Sequence, residues 1–471
     1  MTDRVFRNAD ATAFGDRRSD RQITGDRQRA SRQRAAGTND TCCLCLRYSC
    51  LPARSEALDV SKLQLNISLY PWFRAASDGH AWITVFFLYM SQSLPLDQVI
   101  ELSAVYYLSV FLLEVPSGYF SDRIGRRRTL LIAATALIAS YCCFIFGAGF
   151  GWFAAGQFLL AMGIAMQSGT DTAFHYDSLK ALGRDSEYAE REAKAEQWGM
   201  VMLAIATLSG GILGLIDLRL AYVFSLFSAT VMVLLAWRFV EPVHADESNA
   251  IPQSFARVVW DCCLRLRDPV LGWVFAVVIV LYAMAHIVYE FYQPYITVLQ
   301  LPLLEASAYA PLISGVVISV SMFGGAIGAR ASMAWQMKLG LTGVLAVAML
   351  LQLGIVAAMA VAVSPAVLAL VCLRNFPMSL VHAPVRAAIA PRIERRQRAT
   401  YLSIQGLAER LFFALLLLLL ASGLQRGAPI AESTLMSILT VTLGIGLASA
   451  IVLFACSGRI RRALSGEPTG D

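Results

Sequence analysis

The sequence predicts an all-α integral membrane protein with about twelve transmembrane helices in two pseudo-symmetric six-helix bundles. Three observations lead there. Hydrophobic residues make up 57% of the 471 residues and charged residues 15%, where a soluble domain carries about 25% charge. The apolar residues come in blocks of about 20, the length of a helix that crosses a bilayer. Lys and Arg collect in alternate loops, as they do in short cytoplasmic loops.

Residues 1–64 are rich in Arg, Asp, Ser and Gln, with little apolar periodicity, and read as a disordered N-terminal segment. A start codon downstream is the competing reading, although no Met occurs between Met1 and Met90. The first bundle covers 65–240. Its first span lies within 65–93, and 66–76 reads as an interfacial lead-in with Tyr70, Trp72 and Phe73 at headgroup level. Five further spans follow at 99–119, 129–146, 152–174, 196–216 and 220–240, with a charged loop at 175–194. Residues 241–268 form a polar central loop with Pro242, Pro252 and several arginines. The second bundle covers 269–457, with spans at 269–299, 307–329, 339–362, 365–390, 400–424 and 435–456. Residues 458–471 form a basic tail.

The charge distribution orients this topology. One set of loops carries Arg126 to Arg128, Arg184, Arg191, Lys194, Arg265, Arg267, Arg330, Lys338, Arg392, Arg395, Arg396, Arg398 and the arginines of the tail. The other set carries Arg219 and Arg426. The positive-inside rule then puts both termini in the cytoplasm. The net charge of +6 fits loops facing anionic lipid, so no nucleic-acid partner is expected. Of the ten cysteines, Cys142, Cys143, Cys372 and Cys456 sit in apolar blocks as small hydrophobes. Cys42, Cys43, Cys45 and Cys50 lack metal-site spacing and a nearby His, so neither metal nor cofactor is expected. No phosphate-binding Gly-x-x-x-x-Gly-Lys-Ser/Thr loop, HExxH or GxSxG motif occurs, which argues against a nucleotide-driven pump and against an enzyme.

The stretch Gly118-x-x-x-Asp122-Arg123-x-Gly125-Arg126-Arg127-Arg128, after the second span, resembles the loop 2–3 signature of the major facilitator superfamily. The resemblance extends over about 65–460 in span number and loop lengths. Glu114-Val115-Pro116-Ser117-Gly118, Ser168-Gly169-Thr170-Asp171, Tyr176-Asp177-Ser178-Leu179 and Arg398-Ala399-Thr400-x-x-Ser403 look like a poorly characterised bacterial subgroup of it. The fourth span lacks the Arg, and Ser209–Gly214 lacks the Pro, of the drug/proton antiporter branch. The second-half copy of the signature keeps Gly324, Gly325, Gly328 and Arg330 without the Asp. The resemblance implies a conformational latch built from Gly118, Asp122, Gly125, Arg126 and Arg127, with Arg398 as the partner from the other bundle. The alternative is that these arginines only set topology.

Ionisable residues inside spans are costly and mark function by default. Glu114 lies about one turn inside the second span. Asp171 and His175 are four apart, hence on one helix face, with Asp177 close by; they read as a gate or charge relay with Arg126. His286 and Glu290 repeat that spacing in the seventh span, beside Tyr289 and Gln293, and suit a solute cavity or outer gate. Arg374, near the midplane, needs a carboxylate partner or an anionic solute. Glu409 and Arg410 are adjacent, so they point about 100° apart and cannot simply neutralise each other. The expected function is secondary transport of a small solute by alternating access, proton-coupled, with efflux one direction open to it, by a monomer in the bacterial inner membrane. A non-transporting sensor or scaffold on the same fold is the alternative.

Overall fold

The computed structural model describes residues 51–242, 260, 264–299, 306–389, 391–393, 398–427, 431–455, 457–458 and 460. The side chains at 51–59, 115, 119, 122, 189, 306–307 and 398–400 also lie outside the description. The chain divides into two compact units, Met1–Ala57 and Leu58–Asp471; the architecture below is that of the second.

Every described element is helical. The order is α1 (Leu51–Ser77), a 3-10 turn (Ala81–Thr84), α2 (Phe86–Met90), α3 (Leu96–Ile124), α4 (Arg126–Phe146), α5 (Phe150–Gln167) and α6 (Thr170–Ala181). A 3-10 turn (Asp185–Glu187) leads to α7 (Tyr188–Gly214) and α8 (Leu218–Arg238). The second bundle holds α9 (Pro269–Val298), α10 (Ala306–Val361), α11 (Pro365–Val371), α12 (Asn375–Ile389), α13 (Arg398–Ser422) and α14 (Glu432–Ala455). Among the described residues ten helices are long and apolar enough to cross a membrane. One of them, α10, is two limbs joined at Gly340, whose φ of 68° breaks the helix. With the limbs counted apart and the interrupted first span added, the architecture is consistent with twelve spans. Local chemistry starts several helices. Asp268 caps α9 by accepting from the backbone N–H groups of Val270 (2.8 Å) and Leu271 (3.0 Å), with Pro269 in the first turn. Ser364 and Pro365 do the same for α11.

Two spans are interrupted where the sequence predicts continuity. The first breaks at Asp78-Gly79-His80, between α1 and the 3-10 turn. Gly79 is required there because a Cβ would meet Ser228 of α8, whose hydroxyl donates to Ala76 O at 2.8 Å. The fourth breaks at Ser168-Gly169 and resumes as α6. The stretch read as a charged loop at 175–194 is therefore mostly the end of α6 and the start of α7. Its short turn is clipped by Glu187, which accepts from Arg184 (2.7 Å) and Arg191 (2.8 Å). Those two guanidinium donors hold the Glu187 carboxyl down to about 2. A depressed carboxyl stabilises above its unfolded value and loses that contribution only as pH falls through the folded one, so the clip persists to near pH 2.

The first span also lies deeper than predicted. Tyr70 and Phe73 are fully buried, and Asn66 donates to Val240 O at 2.8 Å and to Ser178 Oγ at 3.1 Å. Trp72 alone of the three aromatic residues faces outward. Residues 51–64, expected to lack structure, include the first turns of α1. Close backbone approach sets the packing at the break: a Cβ on Gly210 of α7 would run into the Ala81 carbonyl. Gly210→Ala is expected to destabilise by about 1–3 kcal/mol, the usual cost of overpacking, read as a lowered Tm in detergent.

Candidate functional site

The bundles meet around a cavity of about 250 Å³. The first bundle contributes His80, Trp82 and Phe86 from the broken first span, Ser103, Tyr106 and Tyr107 from α3, and Gln157 from α5. The second contributes Tyr282, His286, Tyr289 and Glu290 from α9 and Arg410 from α13. These positions follow from helical spacing: 282, 286 and 289–290 recur on one face of α9, turned to the interface. The walls are mainly aromatic. Tyr282 stacks on His286 at 3.7 Å between ring centroids, Phe86 on Tyr289 at 5.6 Å, and Tyr107 meets Phe413 edge-on at 4.8 Å.

Two polar contacts cross the cavity from bundle to bundle. Arg410 pairs with Glu114 of α3, and Ser103 donates to the Glu290 carboxylate. Glu409 points elsewhere, accepting from Gln405 Nε2 at 3.0 Å within its own helix. It lines a separate cavity of about 200 Å³ with His382 and Arg386. The 100° offset between adjacent residues thus sends these two charges to different places.

At one end the cavity is closed by Gln293, one helical turn beyond Tyr289. Its carbonyl accepts from Phe87 N (3.0 Å) and Leu88 N (3.3 Å), and its amide donates to Ile83 O (2.9 Å) and Tyr292 Oη (2.8 Å). The sequence put Gln293 in the cavity wall; the structure puts it in the seal, with its donors and acceptor engaged. Nearby, Gly211 of α7 and Gly315 of α10 let the two helices touch, Gly315 lying where a Cβ would come within 2.9 Å of Thr207 O. Asp97 adds a contact with Gly427 N at 3.3 Å.

Toward the arginine-rich end the bundles part around a vestibule of about 480 Å³. Its walls include Arg74, Asp78, Glu196 and Met200 on one side and Met322, Asn375 and His382 on the other. Arg74, on α1, is the centre of a charge cluster that the sequence reading did not find. It contacts Glu196 Oε2 through Nη2 (2.9 Å) and Nε (3.2 Å), Asp171 at 3.5 Å and Asp78 at 3.6 Å. Behind it, His175 Nδ1 lies 2.6 Å from Glu192 Oε2, Tyr70 donates to the same carboxylate at 3.2 Å, and Tyr70 stacks on His175 at 4.0 Å. Asp171 and His175, read from the sequence as a gate or charge relay with Arg126, are buried at 4% and 1% exposure. They face Arg74 and Glu192; it is Asp177 that pairs with Arg126. The signal that could have revealed Arg74 and Asp78 is their i,i+4 spacing just ahead of Gly79.

The signature turn is held within the first bundle. Gly125 adopts φ 96° between α3 and α4. The carboxylate of Glu241 accepts from the N–H groups of Arg126 (2.6 Å) and Arg127 (3.0 Å), filling the N-terminus of α4. Arg127 also donates to Trp237 O at 2.9 Å, and Gly118 is exposed on α3. The side chains of Asp122 and Arg398 lie outside the described residues, as do Cys42 to Cys50 and most of the central loop. Arg374, in the break between α11 and α12, is buried with 8% exposure, and its guanidinium carbon lies 4.9 Å from the centroid of the Tyr289 ring. No group of three or more His, Cys, Asp or Glu residues suited to a metal ion occurs among the described residues.

Solved structures with this fold are transporters. The nucleoside transporter NupG superposes with a TM-score of 0.67 at 13% identity, over 83% of this chain and 98% of that one. A peptide transporter POT in complex with sulfate gives 0.61 at 13% identity, over 85% and 95%. A bacterial homologue of the human lysosomal transporter Spinster, inward-facing and unoccupied, gives 0.59 at 15% identity, over 87% and 98%. No curated protein matches the sequence. The profile of the Major Facilitator Superfamily matches residues 73–416, which hold most of both bundles and the cavity between them, and the chain belongs to that family.

Proposed function

We propose that the chain moves a small solute through the central cavity by alternating access, as a monomer in the bacterial inner membrane with both termini in the cytoplasm. The observation that carries this reading is the asymmetry of the cavity. It is sealed at one end by Gln293, while toward the other end the two bundles line a second, separate space of about 480 Å³. With the arginine-rich end cytoplasmic, this is a state open toward the cell interior. In the opposite state the Gln293 seal parts, and Asp122, Arg126, Arg127 and Arg398 draw the cytoplasmic ends together.

Protons supply the coupling in this reading. One guanidinium, Arg74, faces three carboxylates, and a fourth, Glu192, lies beside His175. A surplus of negative charge around one partly buried guanidinium is relieved when the cluster takes up protons. The cluster sits on α1 and α7, and α1 leads directly into the broken segment that gives the cavity His80, Trp82 and Phe86.

Purified protein in vesicles, offered labelled nucleosides, dipeptides and small aromatic acids with and without an imposed pH gradient, tests this. Gradient-driven accumulation is expected. Asp78→Asn, Asp171→Asn and Glu196→Gln are each expected to weaken gradient dependence while solute exchange continues. Accumulation indifferent to the gradient would remove the protons. A protein that moved nothing would favour a sensor or scaffold, a reading the retained intramembrane charges oppose.

A further inference from the structure

Arg374 is a buried cation without a counter-ion. It sits in the interruption of the tenth span, where α11 ends at Val371 and α12 begins at Asn375. Its own N–H bonds Val371 O at 3.0 Å, which turns the chain tightly and carries the side chain toward α9. There the guanidinium covers the Tyr289 ring. Its Nε has no hydrogen-bond partner, and no carboxylate comes within ion-pair distance of it among the described residues. The two carboxylates that could serve are engaged elsewhere: Glu290 with Ser103, Glu114 with Arg410. A guanidinium whose Nε is buried without a partner is costly. A solute that brings an anion removes that cost.

The surroundings narrow the anion further. Tyr289 is stacked by Phe86 of the other bundle as well as covered by Arg374. Tyr106, Tyr107, Tyr282 and His286 complete a wall of rings. Rings at stacking distance around a small space select a flat aromatic solute over an aliphatic one. A volume of about 250 Å³ is below the range of drug-sized pockets, roughly 300–1,000 Å³, and fits one ring with a short acidic arm.

We propose that the solute is a small aromatic carboxylate, its ring among Phe86, Tyr282 and Tyr289 of the cavity and its carboxylate on Arg374, which borders that cavity across the Tyr289 ring. This rests on the transport reading above and names the cargo class of the same cavity. A planar guanidinium suits the role because it can stack on Tyr289 and bind a carboxylate with its edge at the same time.

The test is equilibrium binding to the full chain in lipid nanodiscs, by calorimetry and thermal shift. The probes are 3-phenylpropionate, phenethylamine, 3-cyclohexylpropionate and propionate. Phenylpropionate is expected to bind at least tenfold more tightly than each of the others. Arg374→Gln is expected to weaken it tenfold or more with no loss of Tm, and Tyr289→Leu, which keeps the cation, to weaken it severalfold. Equal binding of the amine, equal binding of the cyclohexyl acid, unchanged affinity in Arg374→Gln, or no binding of phenylpropionate would each overturn the proposal. If other solutes still crossed vesicle membranes in that case, the transport reading would stand and only the cargo class would fall.

Discussion

Arg74→Ala is expected to remove about 3–5 kcal/mol of stability, the usual cost of breaking a buried ion pair. The side chain is 20% exposed and Asp171 is 6% exposed, so the lower end of that range applies. The loss comes from what is left behind. Asp171 and Asp78 would face each other beside Glu196 with Arg74's charge gone from among them. Arg74→Lys keeps the charge but gives up the two-nitrogen contact with Glu196, and is expected to fall between wild type and Arg74→Ala. The measurement is Tm in detergent for Arg74→Ala, Asp171→Asn and the double variant. If Arg74 is needed to neutralise Asp171, the double variant is more stable than Arg74→Ala alone. Strict additivity would show that the two side chains do not communicate.

The second large effect falls on turnover. Glu114→Gln and Arg410→Ala are each expected to slow solute uptake into vesicles tenfold or more while leaving Tm within a few degrees. The pair crosses from α3 to α13 at the cavity edge, so in the proposed alternating-access cycle it is made in one state and broken in the other. Both partners are partly exposed, at 20% for Glu114 and 29% for Arg410. Its contribution to folding is therefore small, while its contribution to the balance between states is direct, since a contact made in one state shifts the equilibrium by its full differential energy. The charge-swapped double variant Glu114→Arg with Arg410→Glu is expected to recover part of the rate. Full activity in Arg410→Ala would show that the pair is a bystander.

Much of this site was legible in the residues. His286 and Glu290 announced a cavity face by spacing, and Arg410 was marked as a charge that its neighbour Glu409 could not neutralise. Apolar block length carried the two bundles. What stayed hidden has physical causes. Arg74 and Asp78 lowered the apolarity of the first span enough to make it read as an interfacial approach, although Tyr70 and Phe73 are in the core. The partners of Asp171 and His175 stayed hidden because they come from α1 and α7, and spacing within one span does not show which other helices it meets. Gln293 differs from a cavity residue only in depth, and depth along a helix depends on where the opposing bundle presents its backbone. Ser103 and Glu241 are ordinary residues until the fold sets them opposite Glu290 and the turn at Gly125.

That last contact has a mechanical side. Glu241 is where the first bundle hands over to the segment leading to the second, and its carboxylate is clamped on the N–H groups of Arg126 and Arg127. The tether between the two halves is thus moored to the signature turn at its very first residue. A displacement of Glu241 is passed directly to the start of α4.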